Sequence, residues 1–468
     1  MSKKDDVNKK AIKASVWYTA SSFLRKGIGF ISTPIFARLL TKTDFGAYSN
    51  FVVWLQICAI VCTLDLKASV PRAKFDYEDR FDEYISSITF FGTMTTALFY
   101  GVVMLFMDFF SGLLSIEPIF LHVMFIELLF APSLDNIQAK HRIQQKYKVQ
   151  VAISVFISIS STFFAVLGAY LCKDRLFGRI MGGEVTNTVI YMIVFAYVMF
   201  KGRKIIDVTA WKYAASYSIP IIPHLLSNTI LGASDKVMIT KFIGKAANGT
   251  YSLAHSGGLI VNTLMTCFNQ AMVPWLFEKL HAGETEIIRK VNRYYILIFS
   301  VVVTGSILLA PEIIWILGGE KYMEAQYIVA PIMLGYGYKF AYTNYVNVEQ
   351  YEKKTGIVSI GTLIAAAFNV GTNLIFIPWF GFEAAAYTTL AGFMLLMLIH
   401  YFISRHHGFT KVYDNRFTFT VMAVMTVAGM LIQFLFPYVI IRWALAFVLG
   451  SVTLFSMWKI WDRYFRKG

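Results

Sequence analysis

An all-α, polytopic membrane protein of about fourteen transmembrane helices is the fold this sequence predicts, and three observations lead to it. Hydrophobic residues make up 57% of the 468 positions and charged residues only 15%, against about 25% charged in ordinary soluble domains. Apolar windows of roughly 20 residues recur along the whole chain, each long enough to cross about 30 Å of hydrocarbon. The connections between them alternate between rich and poor in Lys and Arg, as the connections of a multi-pass protein do.

The first apolar stretch, Ala11–Leu39, is too long for a signal peptide and carries Arg25 and Lys26 in its middle. The polar start MSKKDDVNKK therefore reads as a cytoplasmic cap. Phe45–Val70 and Tyr84–Met107 follow, joined by a solvated loop in which Asp76, Glu78 and Asp79 mix with Arg72, Lys74 and Arg80. Ile116–Gln138, Val149–Cys172 and Leu176–Phe200 complete a first set of six. After the basic linker KGRKIID come Trp211–Thr240, Thr250–Trp275, Tyr294–Leu317, Ala325–Val348, Gly356–Ile377 and Phe382–Ile403. Phe417–Phe436 and Tyr438–Ile460 form a further pair. No connection is long enough to hold a soluble catalytic domain on either face.

With the N-terminus inside, the cytoplasmic segments and adjoining helix turns carry 29 Lys and Arg and the external ones 8, with six more inside helices. That asymmetry predicts both termini in the cytoplasm. The net charge of +15 then belongs to topology, and nucleic acid is not an expected partner.

RLLTKTDFGAYS (Arg38–Ser49) aligns with KFIGKAANGTYS (Lys241–Ser252) at an offset of 203 residues, equating Lys42 with Lys245, Gly46 with Gly249, Tyr48 with Tyr251 and Ser49 with Ser252. The same offset matches Gly178 with Gly381 and Thr186 with Thr389. Both copies fall on the external side, which predicts two parallel six-helix bundles, residues 1–200 and 205–405, with residues 416–468 as an appended helix pair.

Ionisable groups at membrane depth are costly and default to functional candidates. Arg25 and Lys26 sit near the middle of the first helix and Lys339 near the middle of the tenth, so these three form the candidate cationic site for phosphate or an acidic sugar. Around Lys339 runs GYGYKFAYTNYVNVEQY, whose Tyr338, Tyr342 and Asn344 suit glycan contact, since aromatic faces stack on sugar rings and amides and phenols bond hydroxyls. Interfacial anchoring and interhelical hydrogen bonding account for such a run equally well. Glu127, Asp235 and Lys236 are candidates for ion coupling or for ion pairs, and Glu184 is a further acidic partner at depth. Asp65 and Lys67 stand two apart and Asp235 and Lys236 are adjacent, so neither pair is expected to meet within one helix.

Enzymatic signatures are absent. The sequence holds no G-x-x-x-x-G-K-[ST] phosphate loop, H-E-x-x-H, paired C-x-x-C or G-x-S-x-G elbow, so no enzyme activity, cofactor or metal is expected. Cys58 and Cys62 share a helix face at i,i+4 without further ligands nearby, and with Cys172 and Cys267 they read as small packing residues.

The passages TPIFARLLTKTDFGAYS, SDKVMITKFIGKAANGTYSLA and FNVGTNLIFIPWFGFEAAAYTTL, in this order over residues 11–405, resemble the polysaccharide-exporter branch of the multidrug/oligosaccharidyl-lipid/polysaccharide exporter (MOP) superfamily. The resemblance implies two lobes in a V, like those of MATE transporters, around a cavity that opens alternately to each side. It implies a flippase for undecaprenyl-pyrophosphate-linked oligosaccharide, the repeat unit of an O-antigen, capsule or exopolysaccharide, in the bacterial cytoplasmic membrane. A polysaccharide polymerase and other envelope assembly proteins are the protein partners it implies, and a monomer suits a two-lobe transporter. The fourteen helices exceed the twelve common among O-antigen flippases and approach the lipid II type. The first helix also lacks the acidic residue typical of cation-coupled drug exporters, which makes a multidrug or cation antiporter the alternative rather than the first reading.

Overall fold

In the computed structural model, which describes residues 27–144 and 146–465, the described chain is helical almost throughout. In order, the helices are α1 (Gly27–Leu39), α2 (Lys42–Cys62), α3 (Val70–Asp76), α4 (Phe81–Leu105), α5 (Met107–Leu114), α6 (Pro118–Ile143) and α7 (Tyr147–Leu171). There follow α8 (Arg175–Ile180), α9 (Thr186–Gly202), α10 (Val208–Ser218), α11 (Ile222–Phe242), α12 (Lys245–His281) and α13 (Thr285–Leu308). The last six are α14 (Ala310–Gly318), α15 (Gln326–Tyr351), α16 (Thr355–Phe380), α17 (Glu383–His406), α18 (Asn415–Ile432) and α19 (Val439–Phe465). Most of each predicted segment is helical where the structure describes it.

By length and composition, nine helical stretches among the described residues can cross a membrane, and α1 and Val439–Thr453 are shorter apolar helices. The long helices that miss that standard are α11, α12 and α15. They are the helices that carry Asp235 and Lys236, Asn262 and Asn269, and Lys339 and Glu349.

Several segments depart from single straight helices, each for a local reason. The helix expected over Phe45–Val70 ends at Cys62, because Leu64 and Asp65 take left-handed backbone angles (φ 55° and 44°). Off the helix the two-residue spacing no longer separates Asp65 and Lys67, and Lys67 Nζ reaches Asp65 Oδ1 at 3.2 Å and Asp135 Oδ2 at 2.8 Å. The helix expected over Leu176–Phe200 is divided by a π-turn, Met181–Val185, between α8 and α9. The helix expected over Trp211–Thr240 breaks at the 3-10 turn Ile219–Ile221, where Pro220 lacks the N–H that a continuous helix would use. At the start of α2, Thr41 Oγ1 accepts from Asp44 N at 3.1 Å while Asp44 Oδ2 accepts from Thr41 N at 3.3 Å, a reciprocal capping box.

The chain divides into two compact units, one reaching Gly249 and the other beginning at Thr250. In the first, Phe51, Leu121, Met124, Phe125, Leu128 and Ile180 form one apolar core, with buried Cys62 inside it and Cys58 packed on it. Leu66, Val70, Ile85, Ile88, Ala210 and Ala214 form a second core that ties α10 to α4. Trp211 reinforces that tie: its Nε1 donates to the Ser87 carbonyl at 3.0 Å, and its ring stacks on Phe91 at 4.8 Å. In the second unit α15 is buried along most of its length and packs against α13, α17 and α18.

Candidate functional site

Arg25 and Lys26, two of the three predicted cationic residues, lie outside the described residues. Apart from Asp235 and Lys236, the described candidates fall into two groups, one in each unit.

In the first unit the group is built around α8 and the π-turn. Glycines let this segment lie directly on α7: a Cβ on Gly178 would sit 2.1 Å from the Gly168 carbonyl oxygen, and one on Gly182 would sit 2.1 Å from that of Phe164. With backbone against backbone on that side, Arg179 and Glu184 are both buried in the unit. The Arg179 guanidinium carbon lies 3.5 Å from the Tyr48 ring centroid and 3.9 Å from that of Phe36, the stacked geometry that favours a cation over a π face. Glu127, on α6, comes to the same place. Asn187 Nδ2 donates to Glu184 Oε2 at 3.0 Å and lies 3.5 Å from Glu127 Oε1, so one amide bridges the two carboxyls. Glu127 is 5% exposed, and its Oε2 is buried without a hydrogen-bond donor.

In the second unit Lys339 projects from α15 toward α12, with its Nζ 3.4 Å from Asn262 Oδ1. The rings of Phe393 and Tyr336 stand 5.7 and 6.0 Å from that nitrogen. The tyrosines of the surrounding run take different tasks. Tyr338 exchanges a hydrogen bond with Thr426 of α18 at 2.9 Å, and Tyr345 donates to Asn415 Oδ1 at 2.8 Å. Tyr342 stacks on His400 at 5.7 Å, and the Asn344 carbonyl accepts from the Tyr413 hydroxyl at 3.1 Å. One turn further along α15, Asn347 Nδ2 donates to Asn269 Oδ1 at 2.7 Å. Fully buried Glu349 meets fully buried His400 Nδ1 at 2.8 Å. A ladder of amides and hydroxyls joins α16 to α17: Asn373 Nδ2 donates to Asn369 Oδ1, Asn369 Nδ2 to Thr389 and the Thr388 hydroxyl to Asn373. Asp235 is buried in α11 of the first unit, and Lys236 beside it is half-buried.

Residues 11–280, more than half of the chain, match the family model described as polysaccharide biosynthesis protein. The chain belongs to that family. It is similar to an uncharacterized membrane protein of Haemophilus influenzae, at 23% identity over 391 residues covering 79% of this chain and 92% of that one. Among solved structures, the lipid II flippase MurJ in an inward closed conformation superposes with a TM-score of 0.75 at 12% identity, over 96% of this chain and 99% of that chain. A MATE transporter of Vibrio cholerae gives 0.57 at 11% identity, over 86% and 98%. At these identities the likeness is one of fold.

Sequence reasoning passed over Arg179, Glu349, His400 and Arg442 as site or anchor residues. Arg179 and Arg442 stand near helix ends in the linear sequence and pass there for interfacial charges, yet each is buried. The available signal was the pairing of Arg179 with Glu184 inside one apolar window, since two opposite charges in a span seldom both face lipid.

Proposed function

We propose that this protein is a flippase that carries undecaprenyl-pyrophosphate-linked oligosaccharide across the bacterial cytoplasmic membrane by alternating access. The family match over residues 11–280 is the observation that carries the reading. Lys339, a cation at membrane depth beside the Asn262 amide and the Tyr336 and Phe393 rings, supports it.

In this scheme Arg25, Lys26 and Lys339 bind the pyrophosphate, for which guanidinium and ammonium groups are suited partners. Tyr338, Tyr342 and Asn344 contact sugar, and the polyprenyl tail stays in lipid. Fourteen helices cross the membrane, as bundles of residues 1–200 and 205–405 with the appended pair 416–468, and both termini are cytoplasmic. The protein acts as a monomer, without a chemical step of its own, beside a polysaccharide polymerase and other envelope assembly proteins. Energy enters from the membrane potential or an ion gradient through Glu127, Asp235 and Lys236. A ligand shifts the balance of conformations only by its differential affinity for them, and the pyrophosphate supplies that difference.

A cation antiporter of the same fold is the second reading, favoured by the buried carboxyls Glu127 and Glu184. One experiment separates the two. The gene is deleted in its host, polyprenyl-linked oligosaccharide is quantified by mass spectrometry, and the strain is complemented with wild type, Arg25→Ala or Lys339→Ala. Accumulated repeat units rescued by wild type alone support the flippase and its cationic site. Normal pools with intact surface glycan, in a strain without a second flippase, move the assignment to the antiporter.

A further inference from the structure

We infer that Glu127 and Glu184 form a proton site, sharing a single proton inside the first unit, and that loading and release of this proton accompany the transport cycle. The inference rests on the transporter reading for its second half only; the site itself stands on geometry.

Three features define it. The two carboxyls come from different segments, α6 and the π-turn, and converge on one amide, Asn187 Nδ2 donating to Glu184 Oε2 at 3.0 Å and standing 3.5 Å from Glu127 Oε1. Glu127 is more than nine-tenths buried, and its Oε2 receives no donor from the protein. A carboxyl oxygen in that position needs a hydrogen between it and its neighbour, because an orphaned buried acceptor loses its solvation without compensation. Finally, the local charge count leaves room for one proton. Arg179 offers one positive charge to the pair, and two ionised carboxylates would carry two negative ones. A proton on Glu127, donated toward Glu184, closes the balance: Glu184 stays the anion facing Arg179 and Tyr48, and Glu127 becomes the donor.

The side chains that act on the pair are Tyr48 from α2, Arg179 from α8 and Tyr191 from α9, with Asn187 as the neutral bridge. The charged residues of the other packed helices stand toward helix ends, as Asp82 and Glu83 do in the first turn of α4 and Lys148 in the first turn of α7. Hard metal ions collect six or more oxygen ligands. Among the described residues no group of three or more His, Cys, Asp or Glu side chains assembles, and a guanidinium stands beside this pair. A proton needs only the two oxygens. Glu184 sits on a π-turn, a departure from α-helix that recurs at functional positions.

The test is infrared spectroscopy of the full-length protein in lipid vesicles, titrated with acid and base at fixed sodium and then with sodium at fixed pH. Wild type is expected to give the band of a buried protonated carboxyl at neutral pH, lost in both Glu127→Gln and Glu184→Gln and retained in Asp235→Asn. Absence of the band from wild type, or its persistence in both Gln variants, overturns the site. A band that responds to sodium at constant pH makes the ligand a metal cation and overturns the proton assignment. Coupling is read separately, by complementation at matched membrane abundance and thermal stability. Glu127→Gln is expected to lower surface glycan at least tenfold, and full rescue by it would overturn the coupling while leaving the shared proton intact. The infrared result does not depend on the substrate, so failure of the flippase reading and failure of the proton site are distinguishable.

Discussion

Gly46 and Gly249, which the internal repeat equates, touch backbone to backbone where α2 crosses the first turn of α12. A Cβ on Gly46 would sit 1.8 Å from the Lys245 carbonyl oxygen, and one on Gly249 would sit 2.0 Å from that of Lys42. The contact is reciprocal: each repeat glycine meets the carbonyl of the other copy's lysine. Asn248 Nδ2 pins the crossing by donating to the Gly46 carbonyl at 2.9 Å. Small residues permit this approach between helices in a membrane, where dispersion and polar contacts replace the hydrophobic effect as the cohesive force.

Backbone atoms cannot retreat as a side chain can, so Gly46→Ala and Gly249→Ala should each cost at least the upper part of the 1–3 kcal/mol range typical of overpacking. Gly101→Ala, in α4 with nothing within 4 Å of the new methyl, is the control. It should be neutral or gain up to about 1 kcal/mol from helix propensity. Thermal unfolding of the purified protein in detergent, followed by size-exclusion chromatography, measures all three. Equal midpoints for the two repeat variants and wild type would contradict the crossing.

Arg442 of α19 and Glu312 of α14 make a bidentate pair, at 2.7 and 2.9 Å, and Arg442 also donates to the Leu308 carbonyl at 2.8 Å. Arg442 is 2% exposed, so removing its partner strands a buried cation. Glu312→Ala should therefore destabilise by about 3 kcal/mol. Replacing both residues with leucine should restore much of that loss, because apolar packing often matches a buried ion pair. Denaturation midpoints of Glu312→Leu, Arg442→Leu and the double variant form the cycle that tests it. Additive single losses, with no recovery in the double variant, would mean that the pair is not an energetic unit.

The sequence makes the helical class and the repeat legible for physical reasons that survive without neighbours. Apolar windows near 20 residues have few uses outside a bilayer, and Gly46 and Gly249 stay glycine because a backbone contact tolerates nothing larger. Helix interruptions are harder to read. Asp65 sits in an apolar run like any other residue, and only its left-handed backbone brings it to Lys67. The π-turn at Met181–Val185 has no periodic signature strong enough to divide its apolar window. Depth alone likewise could not pair Glu127 with Glu184. It takes the close approach at Gly178 and Gly182 to bring the second carboxyl to the first. Tyr338 and Tyr345 illustrate the ambiguity of aromatic residues, since both spend their hydroxyls on α18 and its neighbouring cap.

Asp414, ahead of α18, has two tasks: Oδ1 accepts from Phe417 N at 3.1 Å and Oδ2 accepts from Arg293 Nε at 2.9 Å. The Phe417 N–H first, and Arg293 second, hold its carboxyl below the ordinary carboxylate range. A depressed carboxyl contributes stability above its unfolded value and loses it as pH falls through the folded one. Unfolding midpoints between pH 5 and 8 should therefore respond equally in wild type and Asp414→Asn. Asp414→Ala should lower stability by about 1 kcal/mol across that range through the lost cap. A wild-type midpoint that falls between pH 7 and 5 while that of Asp414→Asn does not would show that the carboxyl titrates in the neutral range.

Lys339 distinguishes a substrate contact from a structural one. Its ammonium approaches Asn262 at 3.4 Å and stands 6.0 and 5.7 Å from the Tyr336 and Phe393 ring centroids. Lys339→Met keeps the stem and its packing while removing the charge, so the stability loss should stay near the 0.5–2 kcal/mol of a cation–π contact. A residue that binds pyrophosphate should cost far more in function: at matched abundance, surface glycan should fall at least tenfold and lipid-linked oligosaccharide should accumulate. Lys339→Arg keeps the charge, though a guanidinium is no steric substitute for an ammonium, and should recover part of the activity. If Lys339→Met complements fully while losing stability, the ammonium serves packing, and the cationic site must lie elsewhere on the chain.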